Sequence, residues 1–537
     1  MTRTGAHLVV EALLAAGIRH VFSLSGNQIL SVYDATIGRP LSIIHTRHEA
    51  AAVHMADAWG RLTDEPGVAL VTAGPGHLNA LSALYGARMA ESPVVLLSGH
   101  APLSQAGRGA FQEMDQVGAA RPVTKAAWLA QDAERLGEEV ATALEIARSG
   151  RPGPVHVSLP GDLLEARVGA PPAAARRPTA PAPDDLDGPI ETALALVAGA
   201  KRPLLLAGPA MARGWRRAAV ERLATLTGVP ALPVESPRGI NDPWLHTAAS
   251  CLDQADVVLL AGKRLDFALR FGEPPAFAPG CRFVQIDAEA QPQPDGRVAM
   301  AITGEPAGVL ARMAAAASAW TWTHRAWGDE VASARKRVPL EWESLRRSSS
   351  RPMHPLRVCA ALQPLLDRGA VLVVDGGEFG QWAQAGLEAE RRLINGPSGS
   401  IGSAIPMALG AKLAHPECQV LAVLGDGTFG FHAFELDTAL RVGLPLVAVV
   451  GNDARWNAEH QLQLQRYGAD RAVGCELCPS RYDQVAAALG GYGALVDDPA
   501  DLEPALARAI GSGAPACINV LIDGVAAPTY RSGTAGH

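Results

Sequence analysis

The sequence predicts an α/β protein built from three parallel-sheet units, and three observations carry that reading. Short β-branched or leucine-rich runs alternate with helical stretches along the chain, the pattern of strands covered on both faces by crossover helices. Two seams interrupt the alternation. Residues 169–187 are a run of Pro, Ala and Arg that cannot bury a face, and residues 344–355 contain Leu-Arg-Arg-Ser-Ser-Ser-Arg-Pro; both read as linkers. Length fits as well, because 537 residues amount to roughly three or four domains of ordinary size. The units expected are 1–168, 188–335 and 355–530.

In chain order, residues 6–16 are apolar but interrupted by Glu11 and closed by Gly17, which suits a glycine-capped helix better than a secretion signal. Glu49 then opens a helix whose Ala52, Met55, Ala56 and Trp59 recur at helical spacing on one face. Strands are predicted at 68–71, 94–97 and 155–159 in the first unit and at 204–206, 257–260 and 283–286 in the second. The third unit should hold strands at 371–374, 420–424, 446–450 and 517–522. No short-period repeat is present.

Composition excludes several classes. A net charge of −7 with no basic run argues against a nucleic-acid partner, and no apolar stretch is long enough to span a membrane. The seven cysteines form no framework. The Cys475/Cys478 pair has no second pair at zinc spacing, so these read as reduced thiols in a cytoplasmic protein.

The third unit carries the most specific motif. The strand at 420–424 runs into Gly425-Asp426-Gly427-Thr428, and the run at 446–450 ends at Asn452-Asp453, so adjacent parallel strands bring two oxygen ligands to the same end. Asp426 offers a hard anionic oxygen, while Gly427 and Thr428 expose N–H groups at a helix start, where the dipole favours phosphate. Asp453 and the carbonyl of Arg455 would complete the protein's share of an octahedral site. A lone Gly-Asp-Gly is usually just a turn. Here the intervening Glu435, Leu436 and Thr438 and the Leu444-Pro445 strand entry favour a place for a metal diphosphate.

The stretch from Gly425 to Asp453 resembles the thiamine-diphosphate motif of pyruvate decarboxylases, acetolactate synthases and their relatives, with Asp453 standing where the family has the second Asn of an Asn-Asn pair. Arg47-His48-Glu49-Ala50-Ala51-Ala52 resembles the segment of the family's pyrimidine-binding domain whose glutamate activates the cofactor. Taken alone, Glu49 also suits a helix cap. The resemblance implies three doubly wound parallel-sheet domains, pyrimidine-binding, central and diphosphate-binding, with thiamine diphosphate and Mg2+ as cofactors. It implies Glu49 and Gln112 as catalytic residues, and Asp426, Asp453 and Arg455 as metal ligands. Cofactor contacts fall on Gly74, Pro75, Asn79, Gly376, Gly377, Gly399, Ile401, Gly425, Gly427, Thr428 and Trp456. Ile401 takes the position of the apolar wedge that bends the cofactor, and is equally a core residue. Because relatives build the site from two chains, a homodimer or homotetramer with the site at the subunit interface is expected.

Substrate class is less sharply marked. Phe111, Gln112 and Lys125 match acetolactate synthases, and the adjacent histidines that pyruvate decarboxylases use for proton delivery are missing. Ser25, Asn27, Gln28, His77, Phe111, Lys125, Asn457 and His460 are the candidate substrate contacts, and Trp456 is similar to its counterpart in benzaldehyde lyase. The flavin-contacting insert of true acetolactate synthases is shortened around 238–251, so bound FAD is not expected. Arg264 is a candidate for an adenine nucleotide or a CoA phosphate, or else an ordinary ion pair. The leading expectation is condensation of a 2-keto acid such as pyruvate with a second carbonyl compound. The alternatives are a lyase of 2-hydroxyacyl-CoA or acyloin substrates on the same fold, and a cofactor-binding subunit without turnover.

Overall fold

The computed structural model describes residues 3–169, 185–289 and 296–530. The first sheet comprises β1 (His20–Ser23), β2 (Ser42–His45), β3 (Gly67–Val71), β4 (Val94–His100), β5 (Ala126–Leu129) and β6 (Val155–Pro160), in the order β2-β1-β3-β4-β6-β5. The second holds β7 (Pro203–Ala207), β8 (Ala231–Pro233), β9 (Val257–Ala261), β10 (Arg282–Asp287) and β11 (Val298–Thr303), ordered β11-β10-β9-β7-β8. The third holds β12 (Val371–Val374), β13 (Arg392–Ile394), β14 (Val420–Gly425), β15 (Val447–Asn452), β16 (Tyr492–Val496) and β17 (Ala516–Leu521), ordered β13-β12-β14-β15-β17-β16. Every pairing within the three sheets is parallel.

Each predicted strand is present and lies in a sheet interior. Those not predicted are β1 and all six edge strands, β2, β5, β8, β11, β13 and β16. An interior strand is buried on both faces and reads as a continuous apolar run, whereas an edge strand keeps polar residues toward solvent. β11 shows this directly, with alternate residues exposed.

The third sheet is covered on both sides. Val371, Val373, Val420, Ala422 and Leu424 face one core, and Leu372, Val374, Leu421 and Val423 face the other, the strict alternation of a pleated strand. The first of these cores also contains Phe22, Ala69, Val71 and Leu96 of the first sheet, so the two sheets share one apolar interior. Between them lie the helices Glu49–Thr63 and Ala404–Ala414. They cross so closely that a Cβ on Gly410 would stand 2.5 Å from the carbonyl oxygen of Met55.

That position changes the expectation for the Glu49 helix. Instead of one buried face it is buried nearly all round, and Trp59 is only half-buried, edge-on to His20. The burial extends to Asp57, which pairs with Arg61 at 2.5 Å, while Arg61 also donates to the Ile394 carbonyl at 2.6 Å.

Most of the first expected linker, 170–184, lies outside the described residues. The second, 344–355, is not a free tether. The helix Glu341–Arg346 runs into it, Met353 is fully buried, and its backbone bonds to Leu521 and Asp523 continue the third sheet. The apolar start of the chain is a helix, Gly5–Ala15, followed by Gly17 at φ +86°.

Candidate active site

Glu49 sits where the chain leaves β2. His48 caps the helix, its Nδ1 accepting the Ala50 N–H at 3.1 Å, and the Arg47 N–H donates to Glu435 Oε1 at 2.9 Å, tying this turn to the third unit. The Glu49 side chain is 7 % exposed, and its Oε2 accepts from Asn79 Nδ2 at 3.0 Å. Beside it runs the Gly74-Pro75-Gly76 turn that opens the helix Pro75–Met89. A Cβ on Gly76 would stand 3.2 Å from Glu49 Oε1 and 2.7 Å from Thr72 Cγ2, so only glycine leaves the carboxylate room.

A polar network completes this pocket. Thr72 donates to Gln28 Oε1 at 2.5 Å, and Gln28 donates to Gln112 Oε1 at 2.9 Å. Gln112 has φ +60°, and its backbone lies 3.0 Å from where a Cβ on Gly74 would be. Gln116 accepts the Gly74 N–H and donates to the Gly99 carbonyl and to Ser158 Oγ, each at 3.0 Å. Sequence reasoning missed Thr72 and Gln116, each a lone polar residue outside any motif.

The second carboxylate site forms where β14 and β15 end in register, Gly425 beside Gly451. Asp426 is 2 % exposed; its Oδ1 accepts the Gly427 N–H at 2.9 Å, and its Oδ2 is buried without a hydrogen-bond partner. Burial raises the Asp426 carboxyl to about 6, against the opposing pull of the N–H groups of Gly427, Arg455 and Ala454. Asp453 is pushed up to about 7, first by burial and then by the negative charge of Asp426, while the Asn457 side chain holds it back. Two desolvated carboxylates, one raised further by the charge of the other, suit a cation. Asn452 takes no part, since its amide donates to the Ser480 carbonyl and to Asn519 Oδ1, both at 3.1 Å.

Among the described residues no cluster of three or more His, Cys, Asp or Glu side chains could hold a metal by itself. Two neighbouring carboxylates instead fit Mg2+, which typically keeps few protein ligands and completes its shell with phosphate and water. Gly427 backs onto Trp456, whose ring would be 2.6 Å from a Cβ there, and Thr428 Oγ1 donates to the Gly425 carbonyl at 3.0 Å. Asn457 also accepts from Gln461 at 3.0 Å, so it braces Asp453 from the start of the helix Asn457–Tyr467.

A third element faces the end of β12. Gly377, Gly399 and Gly402 have φ of +92°, +67° and +86°. Ile401 Cγ2 lies 2.7 Å from where a Cβ on Gly376 would start. Between these loops sits Asp375, fully buried, which sequence reasoning did not single out.

Several expected contacts are not gathered here. His77 is wholly buried, with Nδ1 2.9 Å from Ser98 Oγ and its ring 4.5 Å from that of His156; burial pushes it down to about 4, a neutral core histidine. Lys125 donates to the carbonyls of Ile146 and Ser149, satisfying the end of the helix Leu136–Arg148, and burial lowers it to about 8. His77 and Lys125 are thus engaged within the first unit. Phe111 is 69 % exposed, Asn27 is exposed, Ser25 Oγ lies 3.2 Å from His45 Nε2, and His460 has a buried, unpartnered Nδ1.

Three family models match the chain: the thiamine pyrophosphate enzyme N-terminal TPP binding domain over residues 3–119, the central domain over 190–313 and the C-terminal TPP binding domain over 375–520. The acetolactate synthase large subunit IlvG of Mycobacterium tuberculosis is 38 % identical over 99 % of this chain and 98 % of its own length. The 2-hydroxyacyl-CoA lyase 2 of Homo sapiens is 32 % identical over 92 % of this chain and 85 % of its own length. The acetolactate synthase isozyme 3 large subunit of Escherichia coli is 31 % identical, with coverages of 94 % and 92 %.

Proposed function

Because this chain belongs to the thiamine pyrophosphate enzyme family, in its acetolactate synthase-like branch, we propose that it decarboxylates a 2-keto acid such as pyruvate and joins the remaining acyl unit to a second carbonyl compound. When bound, thiamine diphosphate supplies the electron sink for making or breaking a carbon–carbon bond next to a carbonyl. The observation that carries the reading is the unpartnered, buried Oδ2 of Asp426 beside Asp453. Asp426, Asp453 and the Arg455 carbonyl would hold Mg2+, and the N–H groups of Gly427 and Thr428 would meet the diphosphate.

Glu49, anchored by Asn79, would hold the proton shared with a pyrimidine ring nitrogen. Ile401 would keep the two rings bent, with Gly74, Pro75, Gly376, Gly377 and Gly399 leaving room for them. Gln112 and Gln28, already bonded to each other, would orient the acyl group, with Trp456 and Asn457 on the metal side.

We place Glu49 and Asp426 of one site on different copies of the chain, as a homodimer or homotetramer. All seven cysteines are unpaired, in keeping with a cytoplasmic protein, and none of the described helices is long and apolar enough to cross a membrane. Mass-spectrometric product analysis with thiamine diphosphate, Mg2+ and pyruvate tests the assignment. Formation of a 2-hydroxy-2-methyl-3-keto acid supports it, and no turnover of any 2-keto acid overturns it.

A second reading has its own support. Arg264 is exposed just beyond β9, near Arg88, so two guanidinium groups lie where a phosphate could be met, with Glu289 and Glu91 also close to Arg88. Cleavage of 2-hydroxyacyl-CoA esters in preference to pyruvate would decide for a lyase.

A further inference from the structure

We infer that Asp375 is a positioning residue that sets where Ile401 meets the cofactor; the inference rests on the cofactor reading above and names a group that reading does not use. Asp375 follows the last residue of β12 and has no solvent exposure. Its Oδ1 accepts the N–H groups of Gly376 at 2.8 Å and Gly402 at 2.9 Å, and its Oδ2 accepts the Ala404 N–H at 2.9 Å. One carboxylate thus ties the turn after β12 to the residue following Ile401 and to the start of the helix Ala404–Ala414.

The loops it joins are rich in glycine. Gly377, Gly399 and Gly402 all occupy positive φ, a region glycine enters and leaves without steric penalty. The carboxylate fixes both sides of the Gly376–Ile401 contact, and the 2.7 Å from Ile401 Cγ2 to a Cβ position on Gly376 leaves no slack. His432 adds a second tether, its Nδ1–H donating to the Gly402 carbonyl at 2.7 Å. A buried carboxylate is a costly way merely to begin a helix, since Ser, Thr or Asn would cap it without burying a charge. Its geometry makes sense as a clamp across two glycine-rich loops.

Asp375→Asn keeps the size of the side chain but turns one acceptor into a donor facing an N–H group. Thermal melting of the cofactor-free variant checks folding, and if the Asn variant does not fold, Asp375→Glu goes through the same measurements. Thiamine diphosphate with Mg2+ is followed by tryptophan fluorescence for the dissociation constant, by near-ultraviolet circular dichroism for the conformation of the bound cofactor, and by pyruvate turnover. The expected result is a fall in kcat of about 100-fold, the loss that follows a displacement of about 1 Å in a positioned group. The circular dichroism of the bound cofactor should change, while the dissociation constant moves less than about threefold because the metal ligands are untouched. In an Ile401→Ala background the same substitution should cost little more, because the two residues act as one unit. Multiplying effects in the double variant, or an unchanged circular dichroism signal with wild-type kcat, would overturn the inference. A wild-type chain that fails to bind thiamine diphosphate would instead overturn the reading beneath it.

Discussion

The two buried acids of the site, Glu49 in the first unit and Asp426 in the third, are held in opposite ways. Glu49 has one neutral donor, Asn79, on one oxygen and the Gly76 turn against the other. Asp426 lies near a second carboxylate; burial raises Asp426 to about 6, and burial together with the charge of Asp426 raises Asp453 to about 7. The first is held by a single neutral hydrogen bond. The second is an electrostatic debt that a divalent cation and a phosphate would discharge, so on the proposed reading metal dependence would lie at the Asp426 end and proton handling at the Glu49 end.

Substitutions can break that division of labour. Asp426→Ala should have the largest effect, weakening thiamine diphosphate and Mg2+ binding by more than the ~10–100-fold typical of losing an outer-shell partner, as titration calorimetry would read. Glu49→Gln should leave binding within about threefold while lowering turnover by about 100-fold or more, the range for a positioned acid–base group. Equal losses in affinity and turnover for that variant would erase the contrast between the two ends. Asn79→Ala sharpens it further. Removing one hydrogen bond to the carboxylate should cost about tenfold in kcat with no change in metal affinity, read from steady-state kinetics across Mg2+ concentrations. Asp453→Asn should have the smallest effect, since it keeps an oxygen ligand and relieves the repulsion. The metal-free variant should melt about 1–3 °C later than the parent in a thermal scan, and a lower melting point would contradict the account of Asp453.

The same contrast runs through what the sequence made legible. Asp426, Asp453 and Glu49 could be proposed from the sequence because each sits in a dense local motif whose neighbours report its environment, as Val420–Gly425 does for Asp426. Asp375 could not be, because its partners Gly402 and Ala404 are far along the chain and no residue beside it signals the clamp. Gln116 escaped for the same reason, joining Gly74, Gly99 and Ser158 only through folding. His77 and Lys125 show the other direction, with side chains bonded inside the first unit. Their residue types suited substrate, but whether a side chain points into a pocket or into a core depends on packing that a motif does not encode. In the sheets, β12, β14, β15 and β17 were plain as apolar runs, while edge strands such as β13 and β16 needed their neighbours to be recognised.

The close crossing at Gly410 has a practical consequence for anyone hoping to recombine these units. The helix that begins at Glu49 presses Met55 and Ala58 into the place where a side chain at 410 would grow, so each module completes the other's interior. Expressed alone, either half would display an oily seam and aggregate, and a chimera would need both helices from the same parent.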